Sequence, residues 1–149
     1  MKLRWALLLI TSFLLGAAEA DKKETRDQEA IQGTWKVVGL RLEGQEILGD
    51  SVKEMKLVIK GDTMRPEGDF PEQEKYGKFT FKLDPTTTPK IFDCTLAAGD
   101  DKGMVLEGIY QLERDKLKLC VRLIGKERPG KLAAEAGSGL VLATLERIK

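Results

Sequence analysis

Five carboxylates, Asp84, Asp93, Asp100, Asp101 and Glu107, are the side chains best suited to paired acid–base chemistry of the kind glycoside hydrolysis demands. Their settings favour a plainer role. Asp84 precedes Pro85 at a turn, and Asp100-Asp101 lies in a loop flanked by Gly99 and Gly103, where solvated turn carboxylates are common. Asp100-Asp101-Lys102-Gly103 has the look of a calcium loop, but the spacing of oxygen ligands and the terminal Glu are missing. No metal and no cofactor is therefore expected. The chain has no histidine, which removes His-dependent triads, histidine general bases and His-ligated metal sites. Beyond residue 20 the only serines are Ser51 and Ser138, and neither sits in a G-x-S-x-G turn. The reading is of a protein that is not an enzyme.

Three other features could carry chemistry. Cys94 alternates with Phe92 and Leu96 on an apolar face, whereas Cys120 alternates with Lys118 and Arg122 on a polar one. Opposite faces of a sheet cannot be bridged without distortion, so the pair is expected unbridged and Cys120 accessible, although one bulge would reverse a parity. Lys126, Arg128 and Lys131 give the long stretch from Gly125 to Gly139 a basic character. Long loops can be lids or anion sites, but a basic loop alone rarely specifies one, and a solvated connection is the favoured reading. Tyr110 shares a face with Leu106 and Leu112 and reads as a core tyrosine that could also touch a ligand; its hydroxyl needs a partner if buried.

The elements that would position these groups begin after a leader. Lys2 and Arg4 precede an apolar run from Trp5 to Leu15, followed by Ala18-Glu19-Ala20 and the abruptly polar Asp21-Lys22-Lys23. This is the three-part layout of a secretory signal peptide, residues 1–20. The apolar run is shorter than the roughly 20 residues a spanning helix needs. A secreted or periplasmic protein without a membrane span in its mature chain follows. Removing Lys2, Arg4 and Glu19 from 25 basic and 24 acidic residues leaves a formally neutral chain, which argues against a nucleic-acid partner.

Residues 21–31 are charged and read as an exposed lead-in with a helical turn or two. From Gln32 onward the hydrophobic period is 2, with turn residues at short spacing, which is an all-β pattern. Strands are predicted over 32–42, 54–60, 63–65, 76–83, 90–96, 104–112, 116–123 and 140–148. Gly61-Asp62 is a two-residue hairpin loop of the Gly-first type. Pro66 stops the short third strand, and residues 66–75 form a polar loop. Residues 131–136 could form a helical turn between Gly130 and Gly137. In the first strand Trp35 and Val37 share one parity and Leu40 and Leu42 the other; a bulge near Gly39 would turn both pairs inward, whereas an unbroken strand would bury Arg41. The predicted core comprises Trp35, Met55, Leu57, Ile59, Phe79, Phe81, Leu83, Phe92, Leu96, Leu117, Leu119 and Val121.

About eight antiparallel strands in residues 32–149 fit one all-β domain, an up-and-down barrel that removes its sheet edges by closure. Such an interior is filled by side chains or holds one small ligand. Two functions remain open. One is a carrier of a small hydrophobic molecule, which needs a cavity of about 300 Å³ or more, lined by Phe79, Phe81, Tyr110 and Leu119. The other is a structural or protein-interaction module of the cell envelope with a filled interior.

Gly33-Thr34-Trp35 matches the G-x-W start of lipocalins and intracellular fatty-acid-binding proteins. That resemblance implies a lipocalin-like barrel whose Trp plugs one end while an Arg near the chain's end packs over it; Arg147 is the matching residue, and Gly33, Trp35 and Arg147 would form the closure. Over residues 32–147 the chain resembles the lipocalin-like domain family abundant in planctomycete bacteria. The matching stretches are QGTWKVV, KLVIKGD, GKFTFKLDPTTTPKIFD, EGIYQL, LKLC, GKERP and GSGLVLATLER, in family order. Arg114 stands where a hairpin glycine is common, and Cys94 where an aliphatic residue is usual. The resemblance implies no particular reaction or ligand.

Sequencing the exported protein from its N-terminus should read Asp21 first; an exported chain still starting at Met1 would end the leader reading.

Overall fold

A computed structural model describes Glu19 and residues 21–47, 50–68 and 76–149. The rest of the expected leader and residues 69–75 of the expected polar loop lie outside the described residues.

Residues 21–30 are helical (α1). Strands follow at Gly33–Leu42 (β1) and Gln45–Glu46 (β2), then a one-turn helix at Asp50–Lys53 (α2). The remaining strands are Lys56–Lys60 (β3), Thr63–Glu67 (β4), Phe79–Asp84 (β5), Lys90–Leu96 (β6), Val105–Glu113 (β7), Lys116–Arg122 (β8) and Leu140–Arg147 (β9). Each of the strands β3 to β8 pairs antiparallel with its successor, β1 pairs with both β3 and β9, and β2 folds back on the end of β1. The result is a closed eight-stranded antiparallel β-barrel with one extra strand, the all-β architecture that the period-2 pattern predicts.

Alternation decides which residues fill it. Phe79, Phe81 and Leu83 of β5 stand opposite Leu96, Cys94 and Phe92 of β6, and all six are buried. Full burial of one such side chain contributes roughly 1.5–3 kcal/mol. The predicted core residues are buried except Val121, which is half-buried one residue from the end of β8. In β1 the register slips between Val37, opposite Leu145, and Gly39, opposite Thr144, leaving Val38 as the bulged residue. The bulge turns Leu40 to the same side as Trp35 and Val37 and keeps Arg41 in solvent. Leu42 is exposed rather than core, because it lies at the barrel's rim.

Three local expectations are corrected. The lead-in is a ten-residue helix, exposed over residues 21–26 but closing on the barrel afterwards, with Ile31 fully buried. Pro66 does not stop β4; it sits within the strand opposite Leu57. Among the described residues β4 pairs with β5 only at Thr63 and Met64, so the missing N–H of Pro66 interrupts no ladder on that side. Residues 131–136 form no helix. The connection from β1 to β3 turns at Glu43-Gly44 and contains β2 and α2, whose Val52 is buried against the core.

Phe81 stacks on Phe92 at the centre of the barrel, with ring centroids 5.7 Å apart. Phe81→Ala should lower the unfolding free energy by about 3–5 kcal/mol in a denaturant titration. A loss below about 1 kcal/mol would place this ring at a rim instead.

Candidate functional site

One barrel end is built around the meeting of first and last strands. Trp35 and Arg147 are register partners across β1 and β9. The guanidinium carbon of Arg147 lies 4.3 Å from the centroid of the Trp35 ring, inside the roughly 6 Å reach of a cation–π contact. The Arg147 Nη1 donates to the Gln32 carbonyl at 2.7 Å, its Nη2 donates to the Ala30 carbonyl, and its Nε stands 3.4 Å from the Asp115 carboxylate. The indole Nε1 of Trp35 donates to the Ile31 carbonyl at 2.9 Å. Gly33 has φ 121°, and a Cβ there would stand 3.2 Å from the Arg147 guanidinium, so both backbone and space call for glycine.

α1 seals this end. Asp27 accepts hydrogen bonds from the Tyr110 hydroxyl at 2.6 Å and from the Lys90 ammonium at 2.9 Å. Gln32 donates to the Gly61 carbonyl and accepts from the Gly61 N–H, and Gln28 donates to the same carbonyl. Burial, together with the Asp27 carboxylate that its hydroxyl faces, pushes the Tyr110 phenol well above its ordinary value. Sequence reasoning missed Asp27. The available signal was helical spacing, since Asp27, Gln28 and Ile31 share one face of an otherwise charged segment.

The four side chains expected to line a ligand are core residues of one continuous cluster. Phe79 stacks beside Tyr76 at 6.4 Å, Phe81 stacks on Phe92, Tyr110 is tied to Asp27, and Leu119 is 4% exposed. A ligand-sized void would leave the side chains around it accessible, yet Trp35, Met55, Phe92, Leu96, Leu117 and Leu145 are 1% exposed or less. Depressions of about 270 Å³ and 260 Å³ lie elsewhere: one among the outward Gln111, Glu113, Lys116, Lys118, Thr144 and Glu146, the other beside the β1 bulge at Gly39, Arg41 and Leu142.

Three of the five carboxylates singled out above, Asp84, Asp93 and Glu107, are engaged in hydrogen bonds or ion pairs within the fold. Asp84 accepts from the Thr86 hydroxyl and N–H, and those bonds hold its carboxyl below the usual range. Asp93 and Glu107 face each other across β6 and β7 and share Arg128, which also donates to the Gly108 carbonyl. The basic loop is therefore docked on the barrel rather than merely solvated. It also overturns the expected accessibility of Cys120. Both cysteines are free and buried, Cys94 in the barrel core and Cys120 on the outer face under Ala133 and Ala134. The alternation of faces was read correctly, but the cover over the outer one was not. Burial pushes the Cys94 thiol up to about 12 and raises that of Cys120 as well.

Compared with family models, with curated proteins and with solved structures, the chain matches none. Among the described residues no helix is long and apolar enough to cross a membrane.

Arg147→Ala should remove roughly 0.5–2 kcal/mol of cation–π attraction, plus the charged hydrogen bonds to Ala30 and Gln32. Chemical denaturation followed by Trp35 fluorescence measures it. A variant as stable as the parent, with unshifted emission, would show that the stacked pair holds nothing together.

Proposed function

We propose that this chain is an exported, non-catalytic lipocalin-like protein whose barrel is a rigid, filled scaffold, and that it works through its outer surface as a structural or protein-interaction module of a bacterial cell envelope. The observation that carries this reading is the state of Phe79, Phe81, Tyr110 and Leu119. These inward positions, which a carrier would turn toward its cargo, pack against one another, against Phe92 and against the plug helix. A bound molecule would need about 300 Å³, and several of these large side chains would have to withdraw together to provide it. Export is supported by Lys2 and Arg4, the apolar run from Trp5 to Leu15 and the Ala18-Glu19-Ala20 site. A non-catalytic role is supported by the lack of histidine and by the engagement of Asp84, Asp93 and Glu107 in hydrogen bonds or ion pairs.

Native mass spectrometry of the protein purified from its own host tests this directly. The expected mass is that of the bare polypeptide. A small apolar molecule retained in stoichiometric amount would overturn the filled-barrel reading in favour of a carrier.

A further inference from the structure

Residues 123–139, between β8 and β9, cross the outer face of the barrel instead of looping into solvent. Beneath them lies a second apolar cluster of Ile109, Cys120, Ala134 and Leu140, flanked by Leu132 and Leu142. The inner core is a separate cluster on the other side of the sheet, and the two have no buried residue in common. Period-2 geometry explains this: Tyr110 and Leu119 point inward, so their chain neighbours Ile109 and Cys120 point outward.

Two devices hold the segment. The first is a neck. The N–H groups of Leu123 and Ile124 both donate to the Gly139 carbonyl, at 2.8 and 3.2 Å. Arg122 donates to the Ile124 and Ser138 carbonyls and to that of Glu127. Gly139 has φ 70°, and a Cβ there would stand 2.3 Å from the Ile124 carbonyl oxygen, so the neck closes only on glycine. The second device is a pin. Asp93 and Glu107 are like charges directly opposite each other, an arrangement that destabilises a sheet. Arg128 bridges them, with Nη2 at 3.2 Å from Asp93 and 3.5 Å from Glu107 and Nη1 at 2.8 Å from the Gly108 carbonyl. The neck ties the segment's two ends to each other, whereas the pin and Ala134 tie its middle to the barrel.

We propose that residues 125–138 form a strap that lifts as a unit about this neck while the barrel stays folded, that Arg128 is the pin that keeps it down, and that lifting uncovers the apolar stripe of Ile109, Cys120, Leu140 and Leu142. The inner core contributes nothing to the strap's seat, so the strap opens at lower free energy than the barrel unfolds. This device is independent of whether the barrel interior holds a ligand.

The two cysteines report the two cores separately, so thiol labelling of the full chain with an aromatic disulfide tests the proposal. Each reaction joins the cysteine sulfur to one half of the reagent and releases the other half as a free thiol. Site-resolved mass spectrometry distinguishes Cys94 from Cys120. In native protein Cys120 should label faster than Cys94. Arg128→Met removes the pin, and Ala134→Glu places a charge that cannot stay under the strap. Each should raise the Cys120 rate roughly tenfold or more, the scale set by losing charged hydrogen bonds or seated apolar contact, and well beyond any change at Cys94; the Trp35-monitored melt stays put for Ala134→Glu and falls slightly for Arg128→Met, which leaves Asp93 and Glu107 opposed without a bridge. Equal rates at both cysteines in the parent and both variants would overturn the proposal, because only global unfolding would then expose Cys120. A Cys120 rate unmoved by Arg128→Met would overturn the role of the pin. Failure of both variants to fold would also overturn it, since the strap would then be part of the barrel's own stability.

Discussion

The barrel depends on one contact between the beginning and the end of the chain. Eight strands in an open sheet would leave β1 and β9 as edges, each with a row of unpaired N–H and C=O groups. Pairing those strands removes both edges, but it must overcome the loop-closure entropy of bringing together residues more than a hundred positions apart. Arg147 is placed to help do so. Its guanidinium lies over Trp35, donates to carbonyls 115 and 117 residues away, and meets Asp115 from the β7–β8 turn. Arginine suits the position because its planar group stacks by its face while its edge donates several bonds in fixed directions. The rest of the closed end follows: Gly33 leaves room for the guanidinium, and the carbonyls that it binds lie at the end of α1 and just beyond, which helps to hold the helix against the barrel.

The outer surface is divided by the same alternation that fills the interior. Over β7, β8 and β9 near the closed end, outward residues are charged and matched across strands: Glu113 opposite Lys116, and Lys116 opposite Glu146. Such exposed pairs are worth little individually, but they keep the face soluble and the register fixed. Further along the same strands the outward residues become Ile109, Cys120, Leu140 and Leu142, an apolar stripe that an antiparallel sheet does not normally leave to water. The composition of the segment covering it answers this need. Ala133, Ala134 and Ala136 are small enough to lie flat on a sheet, and Ala136 approaches so closely that a Cβ at Gly44 would stand 2.6 Å from its backbone nitrogen.

The strands were legible in the sequence because Phe79-Thr80-Phe81-Lys82-Leu83 and its counterparts alternate without interruption, and one buried face makes register hard to mistake. The bulge in β1 was legible too, since an unbroken strand would have buried Arg41 without a partner. What escaped were places where two periodicities or two faces compete. The charges of residues 21–26 hid the inward helical face of Asp27, Gln28 and Ile31. Cys120 sits between Lys118 and Arg122, so its strand reads as polar outward until a segment from elsewhere covers one position and leaves its neighbours exposed or half-exposed. Pro66 was taken as a stop on propensity, when the geometry that matters is which side of the strand needs its N–H. Asp93 and Glu107 could be singled out by type, but their common partner Arg128 lies 35 residues from Asp93 and no local pattern ties them together.

These features constrain what the surface can recognise. Residues 21–149 hold equal numbers of acidic and basic residues, and several of those charges are matched at short range: Lys90 with Asp27, Arg128 with Asp93, Arg147 with Asp115. A surface of this kind projects little field beyond the roughly 8 Å over which physiological salt screens charge. It gains little from electrostatic steering, which sets association rate and partner choice more than affinity. If the outer face is where this protein works, discrimination falls to shape and to apolar contact, and the stripe under residues 125–138 is one apolar surface that could supply it. On the strap proposal, access to that stripe depends on the seating of Ala134 and on the Arg128 guanidinium between two opposed carboxylates, a stronger arrangement than an isolated surface pair because the two carboxylates would otherwise repel each other.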